Sequence, residues 1–188
     1  IRKYELAPSY IDIGGGFFGG VPGKAKPTDY ISAIKAEFET VINTDTTKLI
    51  IEPGSALIGS AMDLYTKVLD VKDTGHARIV TTDGSRIYID PLWKKTKYKY
   101  SIVSDGSAFS RQVICGYTCM DHDRLMILKD EPELRIGDYI VYHKVGNYTA
   151  TFGGLFIRPF PDIYADIGDK LIQVRHKINM KEYYKIES

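Results

Sequence analysis

Cysteine is scarce in this chain: two residues, Cys115 and Cys119, among 188. That is too few for a disulfide scaffold, and a lone Cys-x3-Cys makes a poor zinc site. No metal is expected. Net charge is nearly absent as well, because 25 Lys and Arg stand against 24 Asp and Glu. A formal charge of +1 gives no electrostatic case for nucleic acid or an anionic membrane. No apolar run approaches the roughly 20 residues of a membrane span. The opening Ile1-Arg2-Lys3-Tyr4 lacks the apolar core of a secretory signal. These absences lead us to expect a cytoplasmic protein whose partners are small molecules or other proteins. The chain also does not start with Met, as expected if residues are missing upstream, and equally from a tag or processing. Its length excludes a complete (β/α)8 barrel, which needs roughly 250 residues.

What is present is the composition of a globular protein with a substantial core: 44% hydrophobic and 26% charged residues. The first segment reads as strand, glycine loop, helix, strand. Tyr10-Ile11-Asp12-Ile13 is a short apolar run that stops at Gly14-Gly15-Gly16. Ile31, Ile34, Phe38, Val41 and Ile42 then fall on one helical face, with Thr28 or Asp29 as the expected cap. Leu49-Ile50-Ile51 is a second apolar run, closed by Glu52-Pro53-Gly54. Strands alternating with a helix suggest a parallel βαβ unit, in which ligands gather at the carboxyl ends of the strands.

From residue 62 the texture changes. Runs at 62–71, 77–82, 86–89, 113–116, 125–128, 139–145 and 171–175 are short, rich in β-branched and aromatic residues, and separated by turn signals. Asp83-Gly84 reads as a hairpin turn and Arg135-Ile136-Gly137-Asp138 as a turn feeding a strand. An antiparallel sandwich or barrel is therefore expected, with domain bounds at 1–61 and 62–188.

Taken singly, the candidate functional residues leave alternatives open. Three glycines after a strand let backbone N–H groups approach an anion, and serve equally as a flexible turn. Glu52 at a strand end either meets a cation or protonated nitrogen or is solvated. Cys119 is either an exposed, reactive thiol or a buried, inert one. Met120-Asp121-His122-Asp123 sets two carboxylates beside an imidazole, as an acid–base group or as a solvated loop. His76, His143 and His176 lie far apart and carry no assignment.

In order, Ile11-Asp12-Ile13-Gly14-Gly15-Gly16-Phe17, Glu52-Pro53-Gly54, Gly116-Tyr117-Thr118-Cys119 with Asp123, Gly137-Asp138 and Gly146-Asn147-Tyr148-Thr149 resemble five successive landmarks of the fold-type III pyridoxal-phosphate decarboxylases. That family includes the ornithine, diaminopimelate and carboxynorspermidine enzymes. Phe156 followed by Pro159 fits the phenylalanine-rich segment near the family's C-terminus. The resemblance implies the last two β/α units of an alanine-racemase-like barrel, then a β-domain whose end packs back on the barrel. It also implies a head-to-tail homodimer with shared active sites.

Residue by residue, the resemblance implies that Gly14, Gly15 and Gly16 cradle the phosphate of pyridoxal 5'-phosphate, with Gly54, Ser55 and Tyr148 completing the cofactor site. Glu52 would pair with the pyridine nitrogen, and Cys119 would be the catalytic acid. Met120, Asp123, Arg86 and His122 are the substrate-side candidates. Ser55 stands where the family has Arg, and Met120 where it has Asp or Glu, which argues against a substrate with a free distal ammonium. The family's Schiff-base lysine would precede residue 1, so the chain alone is expected to be inactive and to need the missing barrel portion. The expected reaction is decarboxylation of an amino acid to an amine, with a diaminopropionate conjugate of siderophore biosynthesis as one substrate. A catalytically inactive decarboxylase-like binding protein and a diaminopimelate- or ornithine-type decarboxylase are the alternatives.

Overall fold

A computed structural model describes residues 1–19, 23–93, 95, 97–153 and 155–185. Gly20, Val21 and Pro22, between the glycine run and the first helix, lie outside the described residues. The chain divides into two compact units, one formed by residues 1–63 with 142–147, the other by residues 64–141 with 148–188.

The first unit is built on β1 (Tyr10–Asp12), α1 (Pro27–Val41) and β2 (Lys48–Ile50). The two strands are parallel, with Tyr10 opposite Lys48, Ile11 opposite Leu49 and Asp12 opposite Ile50. Pro27 opens α1 because its fixed φ suits the first helical position. The cap is Lys26, whose N–H donates to the Asp29 carboxylate at 2.8 Å. The helix thus starts before the expected Thr28 or Asp29, and Asp29 acts from inside its first turn. Tyr30, Ile34, Phe38 and Ile42 form the half-buried stripe of α1, while Ile31 and Val41 stay exposed. A short helix, α2 (Gly54–Ile58), follows β2.

The second unit contains β3 (Leu64–Asp73), β4 (Arg78–Thr82), α3 (Arg86–Ile89), β5 (Lys99–Val103), β6 (Ala108–Phe109), β7 (Gln112–Cys115), β8 (Arg124–Leu128) and β9 (Glu131–Pro132). It continues with β10 (Tyr139–His143), whose last two residues cluster with the first unit, then β11 (Ile163–Asp166), β12 (Leu171–Arg175) and α4 (Met180–Tyr184). A six-stranded sheet runs in the order β5-β10-β3-β4-β7-β8, and β6 with β9 and β11 with β12 form separate pairs. Val68, Val80, Ile114, Leu128, Leu134 and Ile140 are almost wholly buried and make its core.

Three expectations are corrected here. The sheet is mixed rather than antiparallel, because β4 and β7 pair in parallel, Val80 opposite Ile114. The long connection from Asp83 to Arg111 supplies the crossover that parallel pairing requires. Residues 86–89 are a turn of helix instead of a strand, because Ser85 caps them by accepting the Ile87 N–H at 3.3 Å. Asp83-Gly84 leads from β4 into that helix; the β3–β4 hairpin turns at Thr74, whose N–H donates to the Ala77 carbonyl at 3.0 Å. The Arg135 to Asp138 turn forms as read, with Gly137 at φ +99° and the Asp138 N–H donating to the Arg135 carbonyl.

Candidate active site

In the first unit the parallel ladder continues past its strands. The Ile13 N–H donates to the Ile50 carbonyl at 3.2 Å and the Glu52 N–H to the Gly14 carbonyl at 2.7 Å. Gly14–Gly16 and Glu52 therefore lie side by side at the carboxyl ends of β1 and β2. Gly14 and Gly16 have φ of +69° and +89°, with open space where a Cβ would stand. Gly15 differs: its Cβ would lie 2.3 Å from the Glu52 carbonyl oxygen. The Gly14 N–H donates to Asp12 at 2.8 Å, while the Gly15 and Gly16 amides donate to no described residue. The exposed Glu52 carboxylate has no partner among the described residues.

Gly54 and Ser55 begin α2, and Ser55 Oγ accepts a hydrogen bond from the Asn147 side-chain amide. Gly146 makes this approach possible, since its Cβ would sit 2.0 Å from the Ile58 carbonyl oxygen. Asn147 carried no separate assignment in the sequence, although it stands inside a quoted motif. Gly19 packs closely too, with its Cβ position 2.3 Å from the Ala56 carbonyl oxygen.

In the second unit, a second group of candidates comes together between α3 and the loop joining β7 to β8. Asp123 is 2% exposed. Its Oδ1 accepts from the Arg86 N–H at 2.7 Å, its Oδ2 from Thr118 Oγ1 at 2.6 Å and the Thr118 N–H at 3.2 Å, and Ser85 Oγ lies 2.9 Å from both oxygens. Expected on the substrate side, the Asp123 carboxylate is instead buried in the fold, where these hydrogen bonds offset the loss of solvent.

Arg86 is likewise engaged. Its guanidinium donates to Asp90 at 2.9 Å and to the Lys95 carbonyl at 2.8 Å, and lies 5.2 Å from the Trp93 ring centre. His122 meets the same indole edge-on, with ring centres 4.2 Å apart. Trp93, the only tryptophan in the chain, was missed because its packing is not visible as a motif. Met120 is half-buried, and Cys119 is exposed with no hydrogen-bond partner among the described residues. Cys115, also a free thiol, is half-buried, and burial pushes its ionisation up.

Tyr117 fixes the entrance to this loop. Its N–H donates to the Gly84 carbonyl at 3.1 Å and its hydroxyl to the Tyr88 hydroxyl at 2.8 Å. Burial, then that hydrogen bond, pushes the Tyr117 phenol far above its usual range, so it stays neutral. Burial also raises Tyr88. Tyr148 is an exposed turn residue at φ +61°, its ring 6.1 Å from that of Phe152.

A model of the pyridoxal-dependent decarboxylase C-terminal sheet domain matches residues 12–146, well over half of the chain. The chain belongs to this family. Diaminopimelate decarboxylase of Archaeoglobus fulgidus is 30% identical over 155 residues, covering 79% of this chain and 37% of that protein. The chloroplastic ornithine decarboxylase of Nicotiana glauca is 25% identical over 159 residues, covering 78% and 36%. Among solved structures, diaminopimelate decarboxylase from Helicobacter pylori complexed with L-lysine superposes with a TM-score of 0.74 at 25% identity, covering 94% of this chain and 44% of that one. The chain thus spans well under half the length of these relatives.

The decarboxylase family's cofactor is pyridoxal phosphate. The residues present fit that group. A strand end without side chains, two glycine amides without described partners, and an unpaired carboxylate alongside match an anionic phosphate and a protonated ring nitrogen. No helix among the described residues is long and apolar enough to cross a membrane.

Proposed function

We propose that this chain is the C-terminal part of a pyridoxal-phosphate-dependent amino-acid decarboxylase that releases CO2 and leaves an amine. The observation that carries the reading is the pairing of the Gly14–Gly16 turn with Glu52 at the ends of two parallel strands. Residues 1–61 are then the last two β/α units of an alanine-racemase-like barrel and residues 62–188 its β-domain. The exposed apolar residues of the first unit, among them Ile13, Ile31, Val41 and Ile50, support a role as faces covered by further barrel strands.

In this reading Gly14, Gly15 and Gly16 hold the phosphate through main-chain N–H groups, and Gly54, Ser55 and Tyr148 are the remaining cofactor-binding residues. Glu52 keeps a proton on the ring nitrogen. Bound pyridoxal phosphate supplies an electron sink for the pair released as CO2 departs. Cys119 delivers a proton to the substrate carbon that lost the carboxylate. It serves the site of the partner protomer in a head-to-tail homodimer. The cytoplasm suits a mechanism that needs Cys119 as a free thiol.

For the substrate, we favour an amino acid whose distal end is not a simple ammonium, such as a citryl amide of diaminopropionate in siderophore biosynthesis. Met120 replaces the family's carboxylate, and Asp123 in the same loop already accepts several hydrogen bonds. The relatives' names favour a second reading, a diaminopimelate- or ornithine-type decarboxylase. The test is CO2 release by the full-length protein on meso-diaminopimelate, ornithine and the citryl amide. Turnover of the citryl amide alone supports the first substrate class, and turnover of meso-diaminopimelate or ornithine overturns it. Cys119→Ala should slow amine formation by about 10²- to 10⁴-fold, the usual contribution of a positioned acid. Undiminished product would remove its role, and no turnover of any amino acid would favour the inactive binding protein.

A further inference from the structure

Cys119 stands on a loop that another residue holds in shape. Between β7 and β8 the chain makes a closed ring: the Gly116 N–H donates to the Asp123 carbonyl at 2.8 Å and the Asp123 N–H to the Met120 carbonyl at 2.9 Å. Inside the ring, the Asp123 carboxylate takes both the N–H and the hydroxyl of Thr118. The residues on either side of Cys119 are therefore tied to Asp123, one through its side chain and one through its backbone. Cys119 itself remains exposed.

The same carboxylate anchors the ring to the next loop. It accepts from the Arg86 N–H and the Ser85 hydroxyl at the start of α3, and Gly116 closes over it so tightly that a Cβ there would lie 2.1 Å from Oδ2. Thr82 Oγ1 adds a bond to the Cys115 carbonyl at 3.1 Å. Each anchor is buried or half-buried, so solvent contributes little to holding the loop. An ionised acceptor makes these bonds roughly twice as strong as neutral ones.

We infer that Asp123 is the positioning residue for Cys119: a buried carboxylate that holds the thiol loop in one presentation before substrate arrives, without itself meeting substrate. This rests on the proposed acid role of Cys119, while the geometry of the loop does not. A side-chain amide at position 123 would turn an N–H toward either the Thr118 or the Arg86 donors and break the set. Thr118→Val would remove the 2.6 Å bond while keeping the side chain's size.

The experiment uses the full-length protein in four forms, wild type, Asp123→Asn, Thr118→Val and Thr118→Ser, and reads two quantities. One is the alkylation rate of Cys119 by iodoacetamide as a function of pH, followed by peptide mass spectrometry. The other is kcat and KM for decarboxylation. The expected result is a kcat lower by about 10- to 100-fold at nearly constant KM in Asp123→Asn, the scale of a reacting group displaced by about 1 Å. Thr118→Val should move the same way by less, Thr118→Ser should stay near wild type, and the Cys119 alkylation profile should shift in step with kcat. If Asp123→Asn does not fold, the two Thr118 variants decide. Wild-type kcat and alkylation in folded Asp123→Asn, or in Thr118→Val, would overturn the inference. Should Cys119→Ala prove fully active, the acid role fails on its own, and the alkylation profiles still report whether Asp123 sets the thiol's presentation.

Discussion

Gly15→Ala tests the glycine turn most directly, because its effect is steric and its neighbour is backbone. The new methyl would stand 2.3 Å from the Glu52 carbonyl oxygen, where ordinary contact begins near 3.4 Å. The two strand ends must therefore part by about 1 Å, at the scale of overpacking that costs about 1–3 kcal/mol. The same movement stretches the 2.7 Å bond from the Glu52 N–H to the Gly14 carbonyl. For a domain of this size each kcal/mol lowers the melting temperature by about 2–4 °C. Gly14→Ala is the control: it meets nothing within 4 Å, and its cost is the positive φ alone, about 1–2 kcal/mol. Both full-length variants should melt earlier, but only Gly15→Ala displaces Glu52, so it should lose more cofactor affinity, read by absorbance titration with pyridoxal phosphate. A Gly15→Ala protein that melts and binds cofactor like wild type would refute the reasoning.

Three further outcomes follow from the packing. Ile114→Ala empties a fully buried position between β4 and β8 and should destabilise the protein by about 2–5 kcal/mol in urea unfolding. Ser55→Ala and Asn147→Ala break one shared hydrogen bond, so the double variant should lose little more cofactor affinity than either single one, and strict additivity would deny the coupling. Arg78 should govern acid stability: its hydrogen bond holds the Asp73 carboxyl below its ordinary 3.8, while Arg135 and then Arg78 hold Glu133 below its ordinary 4.5. Depressed carboxyls stabilise the fold above those ordinary values, and the benefit disappears as pH falls through the lower folded ones. Arg78→Met should therefore melt earlier at pH 7 and show a shallower loss of melting temperature from pH 5 to 3, scanned by calorimetry.

The first unit was legible because its signals are local. An apolar run ending at Gly14, the apolar spacing from Ile34 to Ile42 and a second run closed by Glu52 each mark themselves within a few residues, although the helix begins at Pro27, ahead of the expected Thr28 or Asp29. The second unit was legible in texture only. Arg86-Ile87-Tyr88-Ile89 carries strand propensity, yet Ser85 and Asp123 turn it into helix, a tertiary contact across 38 positions of sequence. Asp123 itself looked like a loop carboxylate available to substrate, since neither its burial nor its four donors can be read from neighbours in sequence. Asn147, which meets Ser55, and the contact of Trp93 with His122 were passed over for the same reason: the partners lie far along the chain.

The parallel pairing of β4 with β7 has a consequence for exchange with solvent. Because both strands leave the sheet in one direction, the loop that follows each emerges at the same edge, and Asp123 can bond to both. The Arg86 and Thr118 amides should then share one opening event with the sheet instead of fraying separately, so deuterium should enter these two positions at the rate of the sheet's own unfolding. Next to an exposed cysteine, the Thr118 amide would be among the slower ones to exchange.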